Sequence, residues 1–321
     1  MTKGLGYKKI FVTGGLGFIG SNYLNKFVLK YPEYLFINVD CITYAGNLSN
    51  ILVSKESNYK FEKVDVRDRE SLEKIFLQYK PSHIIHFAAE SHVDISIENP
   101  GIFVETNIMG THNLLLLAQK YGVKRFHQIS TDEVYGSLAE DDLPFTTKNP
   151  LAPNSPYSAS KASADMLVRS YNQTFNFDSV ITRCSNNYGP NQDKTKLIPK
   201  VILKLLSNEK VPIYGNGENI RDWIYVEDHI DAVDLIFHKG VSGQIYNIGG
   251  ETELKNIDIV RKIMNLLGKN ENLIEFVEDR KGHDYRYAVD NSLIKSELGW
   301  SPKVSLSEGL KKTIAFYKNP E

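Results

Sequence analysis

Hydrophobic and polar positions along the first half of the chain alternate between two periods. Short apolar runs, "KKIFVTG", "YLFINVD", "YKFEKVDV", "PSHIIHFAA" and "VKRFHQIS", end in glycine or polar residues. They are too short for helices and predict buried strands. Between them, "IGSNYLNKFVLKY", "RESLEKIFLQYK" and "VETNIMGTHNLLLLAQKYG" space their apolar residues as a helix does. The second stops ahead of Pro81 and the third closes at Gly122. This βαβ alternation predicts an α/β fold, a Rossmann-type doubly wound parallel sheet.

"SPYSASKASADMLVRSYNQTF" predicts the next helix, with Ser155 as N-cap and Pro156 at its first position. "FDSVITRCSNNYG" predicts a sixth strand. After Gly189 the pattern changes: short strands ("VPIYG", "QIYNIGG") mix with helices ("VEDHIDAVDLIFHKG", "KNIDIVRKIMNLLG"). This divides the chain into a Rossmann-like domain, 1–189, and a smaller mixed α/β C-terminal lobe, 190–321, with crossing between them allowed. The segment 137–154, rich in proline and acids, is a lid or a surface loop.

Composition narrows the function classes. The chain has 321 residues, 41% apolar and 24% charged, with a net charge of −1. That balance points to neither nucleic acid nor an anionic membrane as a partner. The two cysteines, Cys41 and Cys184, form no disulfide framework or metal motif, so no metal site is expected. No apolar stretch reaches the roughly 18 residues of a membrane span, and the N-terminus lacks the apolar run of a signal peptide. A cytoplasmic setting is expected.

The first chemical motif is "VTGGLGFIGSNYL". Gly14, Gly17 and Gly20 stand between a predicted strand and a predicted helix, and Asp40 ends the second strand. Glycines there let the backbone approach a pyrophosphate seated on the helix N-terminus. Asp40 suits the adenosine ribose hydroxyls and repels a 2′-phosphate, so NAD is expected rather than NADP. Asp65 follows the third strand, to contact the adenine or to cap the next helix.

Tyr157 and Lys161 stand four apart on a predicted helix and so share a face. An ammonium beside a phenol lowers its pKa and fits it to take a proton from a hydroxyl. "STDEVYG" adds Asp132 and Glu133 side by side after an apolar strand. Adjacent carboxylates push their pKa values apart, which suits one acid and one base. Successive strand residues face opposite ways, so the pair must sit at a strand end or bend to serve one ligand.

Together with "HFAAESHVD", "RCSNNYGP", "KLIP", "PIYGNGENIRDWIYVEDH" and "DRKGHDYRYAVD", these motifs resemble the extended short-chain dehydrogenase/reductases, and closely the dTDP-glucose 4,6-dehydratases. The resemblance spans nearly the whole chain. It departs at Cys41, often lysine or alanine in the family, and at the lysine of "DRKGHD", often proline.

The resemblance implies that Tyr157, supported by Lys161, deprotonates the sugar 4-hydroxyl, with Thr131 bonded to O4. Glu133 then takes the C5 proton, and Asp132 protonates the departing 6-hydroxyl. It implies NAD contacts from Phe18, Ile19, Thr43, Val66, Ala88, Ala89, Ser91, Thr106 and Asn187 as well. For the nucleotide-sugar it implies Ser91, Asn186, Lys196, Leu197, Pro212, Tyr214, Arg221, Asn256, Asp279, Arg280, His283 and Tyr287. Arg221 suits a diphosphate because its fork matches phosphate oxygens; a salt bridge with Asp222 or Asp228 is its other reading. The resemblance also implies a homodimer, joined in a four-helix bundle by "VETNIMGTHNLLLLAQKY" and "YSASKASADMLVRSYNQTF". A nucleotide-sugar 4-epimerase, a decarboxylase, another sugar dehydratase and a non-catalytic NAD-binding regulator are the alternatives. An epimerase needs no acid pair, and a regulator would be expected to have lost Tyr157 or Lys161.

Overall fold

A computed structural model describes residues 8–279 and 282–318. Seven strands form one parallel sheet: β1 (Lys9–Thr13), β2 (Leu35–Asp40), β3 (Tyr59–Lys63), β4 (His83–His86), β5 (Arg125–Thr131), β6 (Ser179–Cys184) and β10 (Ile245–Ile248). Their spatial order is β10-β6-β5-β4-β1-β2-β3. Near-continuous apolar runs such as "FINV" fit such a sheet because both of its faces are covered. Helices α1 (Phe18–Lys30) and α8 (Val226–Lys239) cover one face, through Tyr23, Leu24, Phe27, Ile230 and Val233. Helices α2 (Arg69–Tyr79), α5 (Thr111–Lys120) and α6 (Pro156–Phe175) cover the other, through Leu72, Phe76, Leu114, Leu115 and Val168. The strand order reverses between β1 and β4, and their C-terminal ends open a crevice there.

The expected helix over 104–122 is more complex than its periodicity suggests. Short helices α3 (Val93–Glu98) and α4 (Pro100–Phe103) lead into a π-helical turn, Val104–Gly110, before α5 begins. The widened turn accompanies the burial of Asn107. Its amide accepts from Glu90 N–H at 2.9 Å and donates to Glu90 C=O at 2.9 Å and to Ser160 Oγ at 2.8 Å. Gly110 lets this turn close on Val66, whose Cγ2 lies 2.6 Å from where a Cβ would stand.

The predicted sixth strand breaks at Ser185. Its first part is β6; its second, β7 (Asn186–Tyr188), joins a different sheet centred on β9 (Ile220–Tyr225). There β11 (Glu253–Lys255) runs antiparallel to β9, while β7 and β13 (Arg286–Tyr287) run parallel to it. A third, two-stranded sheet pairs β8 (Val211–Tyr214) with β12 (Ile274–Val277). Helices α7 (Leu197–Leu206), α9 (Asn256–Leu267) and α11 (Leu306–Lys318) pack on these small sheets, and α10 (Ser292–Leu298) packs on the large sheet's core. "QIYNIGG", read above as part of the smaller lobe, instead supplies β10, paired with β6 from Ile245↔Ile181 to Ile248↔Cys184. An apolar run marks a strand as buried without specifying its sheet. The chain therefore crosses back after 189 instead of staying in the smaller lobe.

Segment 137–154 is pinned. Leu138 bridges Arg286 and Phe145 bridges Val289. Leu138, Phe145, Tyr135, Ala288 and Val289 share an apolar cluster. Arg286 pairs with Glu253 at 2.6 Å and donates to the carbonyls of Ala139, Glu140 and Asp142.

Candidate active site

The crevice becomes one long cavity, and its first end is built from glycines. Gly14 has a φ of +70°, and a Cβ there would lie 2.5 Å from Ala88 N on the neighbouring β4 loop. Only glycine lets β1 and β4 close to this distance. Gly17 precedes α1 as its N-cap with no side-chain cap, and no acid stands in the first turn. The N–H groups of α1 therefore face the cavity ready for an anion. Phe18, Ile19 and Gly20 continue that wall.

Asp40 ends β2, buried, and accepts from Leu16 N–H at 3.0 Å and Ile42 N–H at 2.8 Å. Burial raises its pKa and those two donors lower it again. Beside it, Thr43, Asp65, Val66, Ala88, Ala89, Ser91 and Thr106 line the same cavity. Asp65 is held by Arg67, whose Nη2 lies 2.7 Å from Oδ2, and the cap of α2 is Asp68. Of the two readings of Asp65, its position supports the one at the cavity. All the residues expected to hold NAD, Asn187 included, line this one space. The uncapped α1 N-terminus and the close glycine cradle fit a dinucleotide.

At the other end stand Thr131, Asp132, Glu133, Tyr157 and Lys161. The problem of two neighbouring acids facing one ligand is solved at the end of β5. The chain leaves the strand into a 3₁₀ turn, Asp132–Tyr135, capped by Thr131, whose Oγ1 accepts from Glu133 N–H at 3.3 Å. Strand alternation ceases there, and both carboxyl groups line the cavity. Thr131 also donates to Asp132 Oδ1 at 3.2 Å, while Asp132 Oδ2 is buried without a partner. Burial, then the charges of Glu133 and Asp222, push the Asp132 pKa well above the carboxylate range. That direction favours its acid form.

Helix α6 is fixed by the expected cap. Ser155 accepts from Ser158 N–H at 3.1 Å and Ser158 returns the bond, with Pro156 in the first turn. This presents Tyr157 and Lys161 to the cavity. The expected influence of lysine on tyrosine takes a different form, however. Lys161 Nζ donates to Ile129 C=O at 2.7 Å, and burial lowers its pKa while Asp165 raises it. Burial and then the Glu133 charge raise the Tyr157 pKa, and the nearby Thr131 hydroxyl lowers it. Desolvation sets the direction for Tyr157.

Some of the residues expected to hold the nucleotide-sugar reach this cavity. Asn186 and Lys196 line it with Ser91 and Thr131, and Lys196 Nζ donates to Ser91 C=O at 3.0 Å. The carboxamide oxygens of Asn186 and Asn187 are buried without partners. The remaining expected residues form clusters beyond it. Tyr214, at the end of β8 after Pro212, meets His283 edge-on, and His283 Nδ1 lies 2.7 Å from Asp279 Oδ1. Leu197 and Asn256 open α7 and α9. Arg221 lies 4.5 Å over the Tyr287 ring and donates to the carbonyls of Ile220, Asp284 and Tyr285. Asp222 and Asp228 instead accept main-chain N–H groups, from Gly250 and Thr252 and from Lys303 and Val304. Glu133 contributes to raising the Tyr287 pKa and Arg221 lowers that of Asp132, so both stand near the acid turn. Arg280 lies outside the described residues.

Sequence reasoning passed over Arg67, Glu90 and Gln192, which also line the cavity. Arg67 had a signal, standing two residues after Asp65. Gln192, on the loop after β7, had none. Among the described residues no cluster of potential metal ligands exists and no helix is long and apolar enough to cross a membrane.

Comparisons with known proteins agree with this geometry. A family profile described as GDP-mannose 4,6 dehydratase matches residues 11–313. A dTDP-glucose 4,6-dehydratase of Neisseria meningitidis serogroup B is 47% identical, over 97% of this chain and 93% of the relative. The crystal structure of dTDP-glucose 4,6-dehydratase from Bacillus anthracis in complex with NAD superimposes with a TM-score of 0.90 at 45% identity, covering 97% and 96% of the two chains. The Streptomyces venezuelae dTDP-glucose 4,6-dehydratase, with NAD and a second ligand bound, gives 0.93 at 42% identity, covering 97% of each.

Proposed function

Because the chain belongs to the dTDP-glucose 4,6-dehydratase family of extended short-chain dehydrogenase/reductases, we propose a division of the reaction among its own residues. The enzyme converts dTDP-glucose to dTDP-4-keto-6-deoxy-glucose, losing water across C5 and C6. NAD held by the glycine loop and Asp40 would supply the hydride acceptor for C4 and the hydride donor for C6.

Tyr157 accepts the O4 proton, with Thr131 bonded to O4 and Lys161 lending positive charge. The resulting 4-ketone acidifies the C5 proton, which Glu133 removes. Asp132 donates its proton to O6, and water leaves. Glu133 returns its proton to C5. The proton Tyr157 gains from O4 balances the one Asp132 gives up. The carrying observation is the 3₁₀ turn, which brings both acids of "STDEVYG" to line one cavity, and the burial that raises the Asp132 pKa suits it to the acid role. An epimerase has no use for that pair.

Asp40, Asp65, Asn187 and the glycine loop hold NAD in this reading. Asn186, Lys196, Leu197, Pro212, Tyr214, Arg221, Asn256, Asp279, His283 and Tyr287 hold the nucleotide. The Arg221 role needs its guanidinium to share donors now given to carbonyls. Two chains pair through α5 with the π-helical turn and through α6, which leave Val104, Met109 and Met166 exposed as an apolar face. The product feeds deoxysugar synthesis, such as rhamnose formation, in the cytoplasm. Incubation with dTDP-, UDP-, GDP- and CDP-glucose tests the reading. A keto-sugar from dTDP-glucose, seen as near-ultraviolet absorbance in alkali, is expected; a 4-epimer in its place would sink it.

A further inference from the structure

Two charged side chains lie fully buried beneath the active site with no part in the chemistry above. Arg183 on β6 and Asp165 on α6 pair at 2.9 Å, with side chains 2% and 1% exposed. Such a pair is no evidence of stability, because apolar residues of like volume often serve a core as well or better. Its connections point to another use.

Asp165 stands four residues after Lys161, on the same face of α6. Ser130, on β5 just ahead of the acid turn, stands close enough to Asp165 to help lower its pKa. The Arg183 guanidinium lies 4.7 Å from the ring centroid of Tyr135, the last residue of the 3₁₀ turn. Tyr135 is gripped on its other sides. Its hydroxyl donates to Asn247 Oδ1 on β10 at 2.8 Å, and its ring stacks on Phe145 at 5.0 Å. Asn247 in turn donates to Phe145 C=O at 2.8 Å. One buried chain of contacts thus runs from the catalytic helix through Asp165, Arg183 and Tyr135 to the pinned loop and β10.

We propose that Arg183 and Asp165 are positioning residues, which set the turn bearing Asp132 and Glu133 against the helix bearing Tyr157 and Lys161. A planar guanidinium suits this because it bonds a carboxylate in its plane while an aromatic ring covers its face. The two halves of the reaction draw on different elements: oxidation at C4 on α6, elimination on the turn. Loss of the link shifts the turn and spares the helix, so the two steps part company.

This inference rests on the dehydratase reading, and the test separates the two. NAD-loaded full-length protein is mixed with dTDP-glucose in a single turnover, and reduced cofactor and keto product are followed together. In Arg183→Met, C4 oxidation stays near the parent rate while elimination slows about 10–100-fold, as expected for a displaced catalytic group. Reduced cofactor then accumulates. Where Arg183→Met fails to fold, the milder Tyr135→Phe reads the same partition. Equal slowing of both steps, or of neither, overturns the positioning role. A parent protein that yields no keto product overturns the dehydratase reading instead.

Discussion

The two carboxyl groups of the acid turn differ in what surrounds them, and that difference can be measured. Asp132 is buried beside Glu133 and Asp222 and keeps its proton above the usual carboxylate range. Elimination therefore weakens as pH rises through the raised Asp132 pKa, while the acid form persists below it. A single-turnover pH profile should show this falling limb, and the residual activity of Asp132→Asn should lack it. Asp132→Asn and Glu133→Gln should each slow elimination by about 10²–10⁴-fold, the range of general acid–base catalysis. Exchange of the C5 proton with deuterated water should vanish in Glu133→Gln and persist in Asp132→Asn; persistence in both would remove Glu133 from its role. At this scale the sequence told residue types well and directions poorly. Asp40 and Tyr157 stand where their motifs put them, at the ends of predictable elements. Lys161 was legible as a partner of Tyr157, but its bond to Ile129 C=O depends on β5 packing beneath α6. Arg221 was legible as a cation; two of its three carbonyl partners, on Asp284 and Tyr285, lie more than 60 residues along the chain and carry no local signature.

Elements hold these residues through close approaches. Gly14→Ala puts a methyl against Ala88 N and adds strain at a φ of +70°. It should weaken NAD binding at least about ten-fold by calorimetry, since a displaced β1–α1 turn withdraws the anion site; unchanged affinity would mean that the crevice is wider than described. Arg286 clasps segment 137–154 by three carbonyls while paired with Glu253. Arg286→Leu leaves those carbonyls without their donor and removes a part-exposed pair with Glu253, so unfolding should become easier by about 1–3 kcal/mol, the range for unmade hydrogen bonds. Amide exchange in 137–154 should rise with it, and protection equal to the parent's would argue against the clasp. Strand and helix periods made most of these elements legible. The π-helical turn was not, because its apolar spacing reads as ordinary helix and its cause, Asn107 bonded to Glu90, is a long-range contact. The break at Ser185 was hidden likewise: "RCSNNYG" has one strand pattern and two sheets to join.

For the molecule as a whole, the exposed Val104, Met109 and Met166 favour association through the α5 and α6 side. Val104→Glu/Met166→Glu should convert a dimer to a monomer by light scattering; a parent protein that is monomeric at micromolar concentration would discount the pairing. The sequence also announced two lobes, and the structure has two sets of sheets, but the boundary is threaded more than once. β10 returns to stand outside β6 in the large sheet. That return decides how the chain can be cut. A fragment ending at 189 would leave β6 as a naked edge, its N–H and C=O groups ready to recruit another fragment. The remainder, 190–321, would carry "IYNI" with no sheet to receive it. Expressed apart, the halves should aggregate, and expressed together they should recombine into a soluble complex that holds NAD. The second half thus supplies the outer stave of the first half's sheet.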